Sequence, residues 1–276
     1  MPPVFVNSYS TPTPQNVDPF AILTSTEPYD INFAFPLHPV SLSSPRIRLT
    51  PFIPRLHARD FWNAISPSVE SHFRYFAFVP RTLIEFLNIL EEYRQDPGWC
   101  TFAVMDRTQS HIIPPESEDR ADEMHETLAG MIAIGYTSTK HLRAEIAFIM
   151  VLPAFQRTHV ARTATALLLR YCLELPTASP PGLGLRRVSW VAHPKNVPSI
   201  RLAQRLGFME EAQLKAWFML PEEGAEDKGG YAVRRRDQQD HEEMVVGWGK
   251  DAVLLSLCWS NWEDGSREQV ALILNS

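Results

Sequence analysis

The stretch from Ala144 to Ala192 constrains the fold of this chain more than any other. AEIAFIMVL is an apolar run of strand length that stops at Pro153. Apolar residues then recur at helical spacing from Val160 to about Leu175, and the Pro/Gly-rich segment PTASPPGLG ends that helix. RRVSWVA follows as a second buried strand. A strand–helix–strand unit with both strands this apolar needs a sheet that is covered by helices.

The flanking segments supply the rest of that sheet. RIRLTPF reads as a short strand, and His57–Ile65 and Thr82–Tyr93 as helices, the second stopped by Asp96-Pro97-Gly98. CTFAVMD is a strand, and LAGMIAIGYT pairs with AEIAFIMVL as a hairpin across STKHLR. PSIRLAQRLGF is a short amphipathic helix closed by Gly207, AQLKAWFML a strand, and DAVLLSLCW the last strand. Trp217 and Phe218 read as core residues rather than as a substrate platform. The expected fold is mixed α/β (α+β), a central twisted mixed sheet of about seven strands with helices on both faces. Residues 1–45, dense in proline, form a leader without regular structure whose interspersed Phe20, Leu23, Phe33 and Phe35 drape it on the domain formed by 46–276. Residues 107–126 and 221–243 are charged loop insertions.

Composition excludes several classes. A formal net charge of −6 argues against a general nucleic-acid binder. No apolar run is long enough to span a membrane, and the N-terminus lacks the basic and apolar regions of a secretory signal, so a cytoplasmic location is expected. Cys100, Cys172 and Cys258 lie far apart without zinc-type spacing, and read as buried small hydrophobes. His141 and Glu145 share a spacing that ligates metal only on a helix, and they fall at a strand start, so no metal is expected.

Chemistry concentrates where the first buried strand meets its helix. A strand that feeds a helix N-terminus presents unpaired amides at the positive end of the helix dipole, a phosphate site if side chains allow close approach. Small Ala161 and cationic Arg157 and Arg162 suit that role, while Asn196 and Ser199 bring polar groups to the exit of the second strand. Asn196 and Ser199 also fit a plain helix cap, and Glu210 and Glu211 fit solvent-facing charges. Glu145 is a base candidate second to these acids, read first as the partner of a neighbouring cation, and His193 reads as a turn residue near the same groove.

These residues resemble the GNAT superfamily, in particular its RimJ/RimL-like branch. Gln156-Arg157-Thr158-His159-Val160-Ala161 stands where that family has Gln/Arg-x-x-Gly-x-Gly/Ala. Asn196, Ser199, Leu202-Ala203 and Leu206-Gly207-Phe208 match its downstream signature, and the likeness runs from Arg46 to Trp262. Long Pro-rich leaders and loop insertions are also similar to those of lone fungal members. The resemblance implies an acetyl-CoA-dependent N-acetyltransferase that joins acetyl-CoA and a primary amine in a ternary complex, as monomer or homodimer. The amides of Gln156, Arg157, Thr158, His159, Val160 and Ala161, with Arg162 beside them, would hold the CoA diphosphate. Ile149, Met150 and Val151, with the strand Val188–Val191, would hold the pantetheine. Asn196 would orient that arm or order water near the thioester, Ser199 would act as general acid or stabilise the leaving thiolate, and Glu211 or Glu210 would be the general base. No covalent intermediate is needed, and no nucleophile motif is present. One departure is His159 in place of glycine, which asks a histidine either to adopt a left-handed backbone or to pair its imidazolium with phosphate. Alternatives are a non-catalytic acyl-CoA-binding module, which His159 favours, a protein N-terminal acetyltransferase, and an enzyme using a longer acyl chain. The insertions favour a small-molecule acceptor, since they would crowd a channel for a peptide.

Overall fold

A computed structural model describes residues 17–108, 126–236 and 243–276. Eight strands form one sheet in the order β1-β2-β3-β4-β5-β8-β6, with β7 also on β8. They are β1 (Ile47–Pro51), β2 (Cys100–Asp106), β3 (Thr127–Ser138), β4 (Arg143–Val151), β5 (Arg187–Ala192), β6 (Met209–Leu220), β7 (Tyr231–Arg236) and β8 (Glu243–Cys258). Every pairing is antiparallel except β4 with β5, the two strands joined through a helix, so the sheet is mixed as its pattern requires.

One face carries α1 (Pro19–Thr24), α2 (Pro54–Ile65) and α4 (Leu83–Gln95), which pack on one another and on β2 and β3. Helix α2 turns His57, Ala58, Phe61 and Ile65 inward, α4 turns Phe86, Leu87 and Leu90 inward, and the rings of Phe61 and Phe86 stack at 5.4 Å. A single turn, α3 (Val69–His72), leads into the loop before α4. The other face carries α5 (Val160–Leu173), α6 (Val197–Arg205) and α8 (Arg267–Asn275), with the short α7 (Trp259–Asn261) following β8.

Helix α5 is apolar nearly all round, with Val160, Ala164, Ala166, Leu167, Leu168, Leu169 and Tyr171 all buried, so it needs cover beyond the sheet. Helix α8 supplies part, through Val270 and Leu274. Residues 36–43 supply another part: the Tyr171 hydroxyl donates to the Pro36 carbonyl, and Arg170 Nη2 donates to the Ser41 and Ser43 carbonyls at 3.1 and 3.3 Å.

Four features depart from the sequence reading. The leader contains a helix after all, because Pro19 sits at its first position, where a missing amide costs nothing, and Asp18 caps it. Tyr231–Arg236 is a strand rather than loop, and β8 begins at Glu243, well before Asp251. The run Arg234–Arg236 hides the alternation of Tyr231 and Val233, and two of its charges, Arg234 and Arg236, find Glu243 on β8. REQVALILN at the C-terminus forms α8. Trp217 is 55% exposed rather than core, because Ala216 takes a left-handed φ of 46° and the ladder shifts beside it. Most of the 107–126 insertion, and residues 237–242 of the other, lie outside the described residues.

At Gly130 on β3 the neighbouring strand comes unusually close. A Cβ there would stand 2.3 Å from the Met150 carbonyl oxygen, a backbone atom that cannot move aside cheaply. Gly130→Ala is therefore expected to lower stability by about 1–3 kcal/mol in urea unfolding, with the m-value unchanged.

Candidate active site

The parallel pairing of β4 with β5 covers only Arg143–Arg187, Ala144–Val188 and Glu145–Ser189. Beyond that rung β4 continues to Val151 and β5 to Ala192 without pairing to each other. A bulge helps drive them apart: Phe148 and Ile149 together oppose Ile132 alone, between the rungs Ala133–Ala147 and Met131–Met150, and Phe148 holds a φ of 49°. Ile149, Met150 and Val151 therefore lie on a stretch of β4 whose β5-facing edge has no ladder partner among the described residues. Glycine-free strands rarely hold such a backbone, and the bulge re-aims both the Phe148 ring and the amides beside it.

Strand β4 leads through the turn Pro153–Phe155 and Gln156 into α5. Here the left-handed residue is Arg157, at φ 63°, while His159 stands in right-handed helical geometry at φ −69°. The glycine-like backbone expected of His159 is thus not required at that position. Its ring turns inward, with Nε2 3.4 Å from the buried Asp106 carboxylate at the end of β2 but without a hydrogen bond. Burial, and then the Arg46 charge, hold its pKa below the usual histidine value. Thr158 Oγ1 donates to the Phe155 carbonyl and accepts from the Val160 amide at 3.3 Å. Helix α5 has no side-chain cap, and the amides of Ala161 and Arg162 have no partner among the described residues. Gln156, Arg157, Thr158 and Arg162 are exposed around them. Free amides at a helix N-terminus, a small side chain and two guanidiniums without an acidic partner among the described residues are the chemistry that suits an anion.

Across the cleft, Asn196 is the N-cap of α6, its Oδ1 accepting from the Ser199 amide at 3.4 Å, as the capping reading has it. Ser199 Oγ accepts from the indole of the buried Trp190 on β5 at 3.0 Å, which leaves the hydroxyl proton free to donate.

The three carboxylates sit in different surroundings. Glu211 is gripped by Arg187 through both oxygens, one at 2.8 Å, and accepts from the Ser256 hydroxyl at 2.6 Å. Those two partners hold its pKa down to about 2, so it is a poor proton acceptor near neutrality. It sits on β6, two strands beyond β5. Glu210, beside it, is exposed at the edge of the sheet, outside the cleft. Glu145 instead occupies the last paired rung, on the face opposite buried Ala144 and Ile146. It has no cationic partner among the described residues, contrary to expectation, and burial pushes its pKa up to about 7 against an opposing pull from Ser189. Its side-chain environment is that of a base poised near neutral pH. Only the register of β4 on β5 reveals this; in sequence Glu145 is one acid at a strand start.

The loop 73–82 closes the same side. Phe76 stacks on Phe148 at 5.5 Å, and Tyr75 stacks on His193 at 5.5 Å while its hydroxyl donates to the Lys195 carbonyl at 3.1 Å. Lys250 on β8, 1% exposed, donates to the Tyr75 and Phe76 carbonyls at 2.8 and 3.4 Å, and burial lowers its pKa to about 8. The 221–230 segment adds Lys228 Nζ, 3.5 Å from the Phe76 carbonyl, and backs onto His193 at Gly229. No sequence signal marks Lys250, one cation in a long strand. No group of three or more potential metal ligands occurs among the described residues, and none of their helices is long and apolar enough to cross a membrane.

Residues 46–209 match a family described as the acetyltransferase (GNAT) domain. The fold is similar to a GCN5-related N-acetyltransferase from Brucella melitensis, at 22% identity and a TM-score of 0.60 over 84% of each chain. It is similar to a GNAT-family structure from Chromobacterium violaceum, at 16% identity and a TM-score of 0.59 over 92% of this chain and 100% of that one. A spermidine N-acetyltransferase from Vibrio cholerae, in complex with CoA and spermine, matches at 16% identity and a TM-score of 0.51, over 79% of this chain and 98% of that one. No curated protein sequence matches the chain. The family match spans more than half of the sequence, and the chain belongs to the GNAT acetyltransferase family.

Proposed function

We propose that the chain transfers the acetyl group of acetyl-CoA to a primary amine by direct attack in a ternary complex, with Glu145 as general base. The observation that carries this reading is the place of Glu145, a carboxyl near neutral pKa on the rung where β4 and β5 part. The free amides of Ala161 and Arg162, flanked by the Arg157 and Arg162 side chains, hold the CoA diphosphate, and the parted edge of β4 receives the pantetheine. Asn196, at the start of α6, lines the exit of the cleft. An ammonium cannot attack a thioester, so Glu145 takes its proton, directly or through water. The amine nitrogen then bonds to the thioester carbon, and an amide of the β4 bulge donates to the oxygen as charge builds there. The carbon–sulfur bond breaks, and Ser199, its oxygen fixed by Trp190, gives its proton to the thiolate. The second proton of the amine nitrogen returns to the Ser199 oxygen through water, and Glu145 releases the first to solvent, so both groups end as they began.

The non-catalytic reading rested on His159, and its unstrained backbone removes that support. A loop pinned at Tyr75 and Phe76 favours a small acceptor over a polypeptide. The Vibrio cholerae enzyme, with spermine bound, is compatible with that size class.

Wild-type kcat/KM is expected to rise with pH and level off above about 7, because Glu145 accepts a proton only when ionised. Glu145→Gln should lose about 10²–10³-fold in kcat/KM and abolish that limb. The same variant should be more stable than wild type by about 1–3 kcal/mol at pH 8 but not at pH 4. A raised carboxyl pKa favours the fold below about 4.5, and that benefit is lost as pH rises through about 7. Glu211→Gln should leave the limb in place. Its stability cost, no more than about 1 kcal/mol for so exposed a pair, should be present above about 4.5 and vanish as pH falls through about 2. Ala161→Glu should weaken CoA binding about tenfold or more by calorimetry, since a carboxylate there suits the helix end but opposes phosphate.

A further inference from the structure

Two aromatic residues on adjacent strands hold left-handed backbones, Tyr136 on β3 at φ 48° and Phe148 on β4 at φ 49°. Bulky side chains avoid that region, so each conformation is imposed by its surroundings. Each lies at a shift in the β3–β4 register, one on either side of the rung that pairs Gly135 with Glu145. The Trp99 ring lies against Gly135 so closely that a Cβ there would meet it at 2.5 Å. Trp99 in turn meets Tyr136 at 4.9 Å and Phe148 at 5.4 Å, and Phe76 stacks on Phe148. The result is a continuous aromatic wall whose edge runs past the Glu145 carboxyl. Burial and the Glu145 charge both raise the Tyr136 hydroxyl pKa, which places that hydroxyl within reach of the carboxyl's field. Tyr136 is nevertheless 59% exposed, a large ring turned to solvent at the mouth of the site.

On the strength of the acetyl-transfer reading above, we propose that the acceptor is a monoamine with an apolar, preferably aromatic, body that lies on Tyr136 and Phe148 and presents its ammonium to Glu145. A ring gains offset or edge contacts with such a wall, whereas the charged interior of a polyamine would be desolvated against it. A polyamine needs several carboxylates, and among the described residues the acids that act on Tyr136 are Glu145 and Asp96. Asp96, the other acid that influences Tyr136, caps the end of α4 and is held by the Gly98 amide at 2.8 Å. The wall is built in advance, because Lys250 and Lys228 tie the Phe76 carbonyl down from two sides.

The test measures CoA thiol release with phenethylamine, hexylamine, methylamine, spermidine and a free dipeptide, on wild type and Tyr136→Asn. Asparagine tolerates the left-handed backbone, so the ring is removed without forcing the strand to refold. Phenethylamine is expected to exceed spermidine and the dipeptide at least tenfold in kcat/KM, with hexylamine between. Tyr136→Asn should raise the KM for phenethylamine at least tenfold while leaving that for methylamine and the affinity for CoA unchanged. Spermidine or the dipeptide as preferred acceptor, or an unchanged phenethylamine KM in Tyr136→Asn, overturns the proposal and leaves acetyl transfer standing. CoA binding without turnover of any amine overturns both.

Discussion

The structure turns on a join three residues long. β4 is held to β3 along its length and β5 to β8 along its length, so each half of the sheet is complete in itself, and the halves meet only from Arg143–Arg187 to Glu145–Ser189. Extending the join would require β4 to lie flat, and the bulge at Phe148 prevents that. Helix α5 leaves the end of β4 on the parted side and returns the chain to the start of β5 on the joined side. Its free amides are therefore at the open end of the cleft by topology alone, as ligand sites in α/β sheets lie at the carboxyl ends of parallel strands.

Several groups around the cleft are held in states that the fold alone would not favour. Among the described residues Glu145 is half-buried without a cation, Lys250 is buried with only carbonyls as partners, and Tyr136 and Phe148 keep backbones that bulky residues avoid. Elsewhere the protein treats charge differently: Glu211 has Arg187 and Ser256, and Glu91 has Arg94 and Gln95. Strained and poorly compensated groups gathered in one place mark a working site rather than a stable core. The acid the sequence motif singles out, Glu211, is one the protein has paired with both a cation and a hydroxyl.

The sheet and its main helices were legible because periodicity records burial: Ala144 to Leu152, α5 and RRVSWVA are apolar for the reason that both their sides are covered. The turn into α5 was legible too, since Pro153 ends β4 and Arg157, Ala161 and Arg162 lie close together in sequence. What escaped depended on pairing between distant strands. The role of Glu145 needs the register of β4 on β5, and the aromatic wall needs two bulges and a loop brought in from residues 73–82. Strand β7 was hidden because its outward charges look like those of a loop until Glu243 is seen opposite them. His159 misled through an analogy with glycine, when the neighbouring Arg157 carries the unusual backbone.

The central claim is that the parted edge of β4 and the start of α5 together receive acetyl-CoA. Amide hydrogen exchange with and without CoA tests it most directly. Protection is expected at residues 147–151 and 157–162, with the joined rungs at 143–145 and 187–189 unchanged. Protection absent from both of the first two segments, or confined to sites elsewhere in the chain, would contradict it.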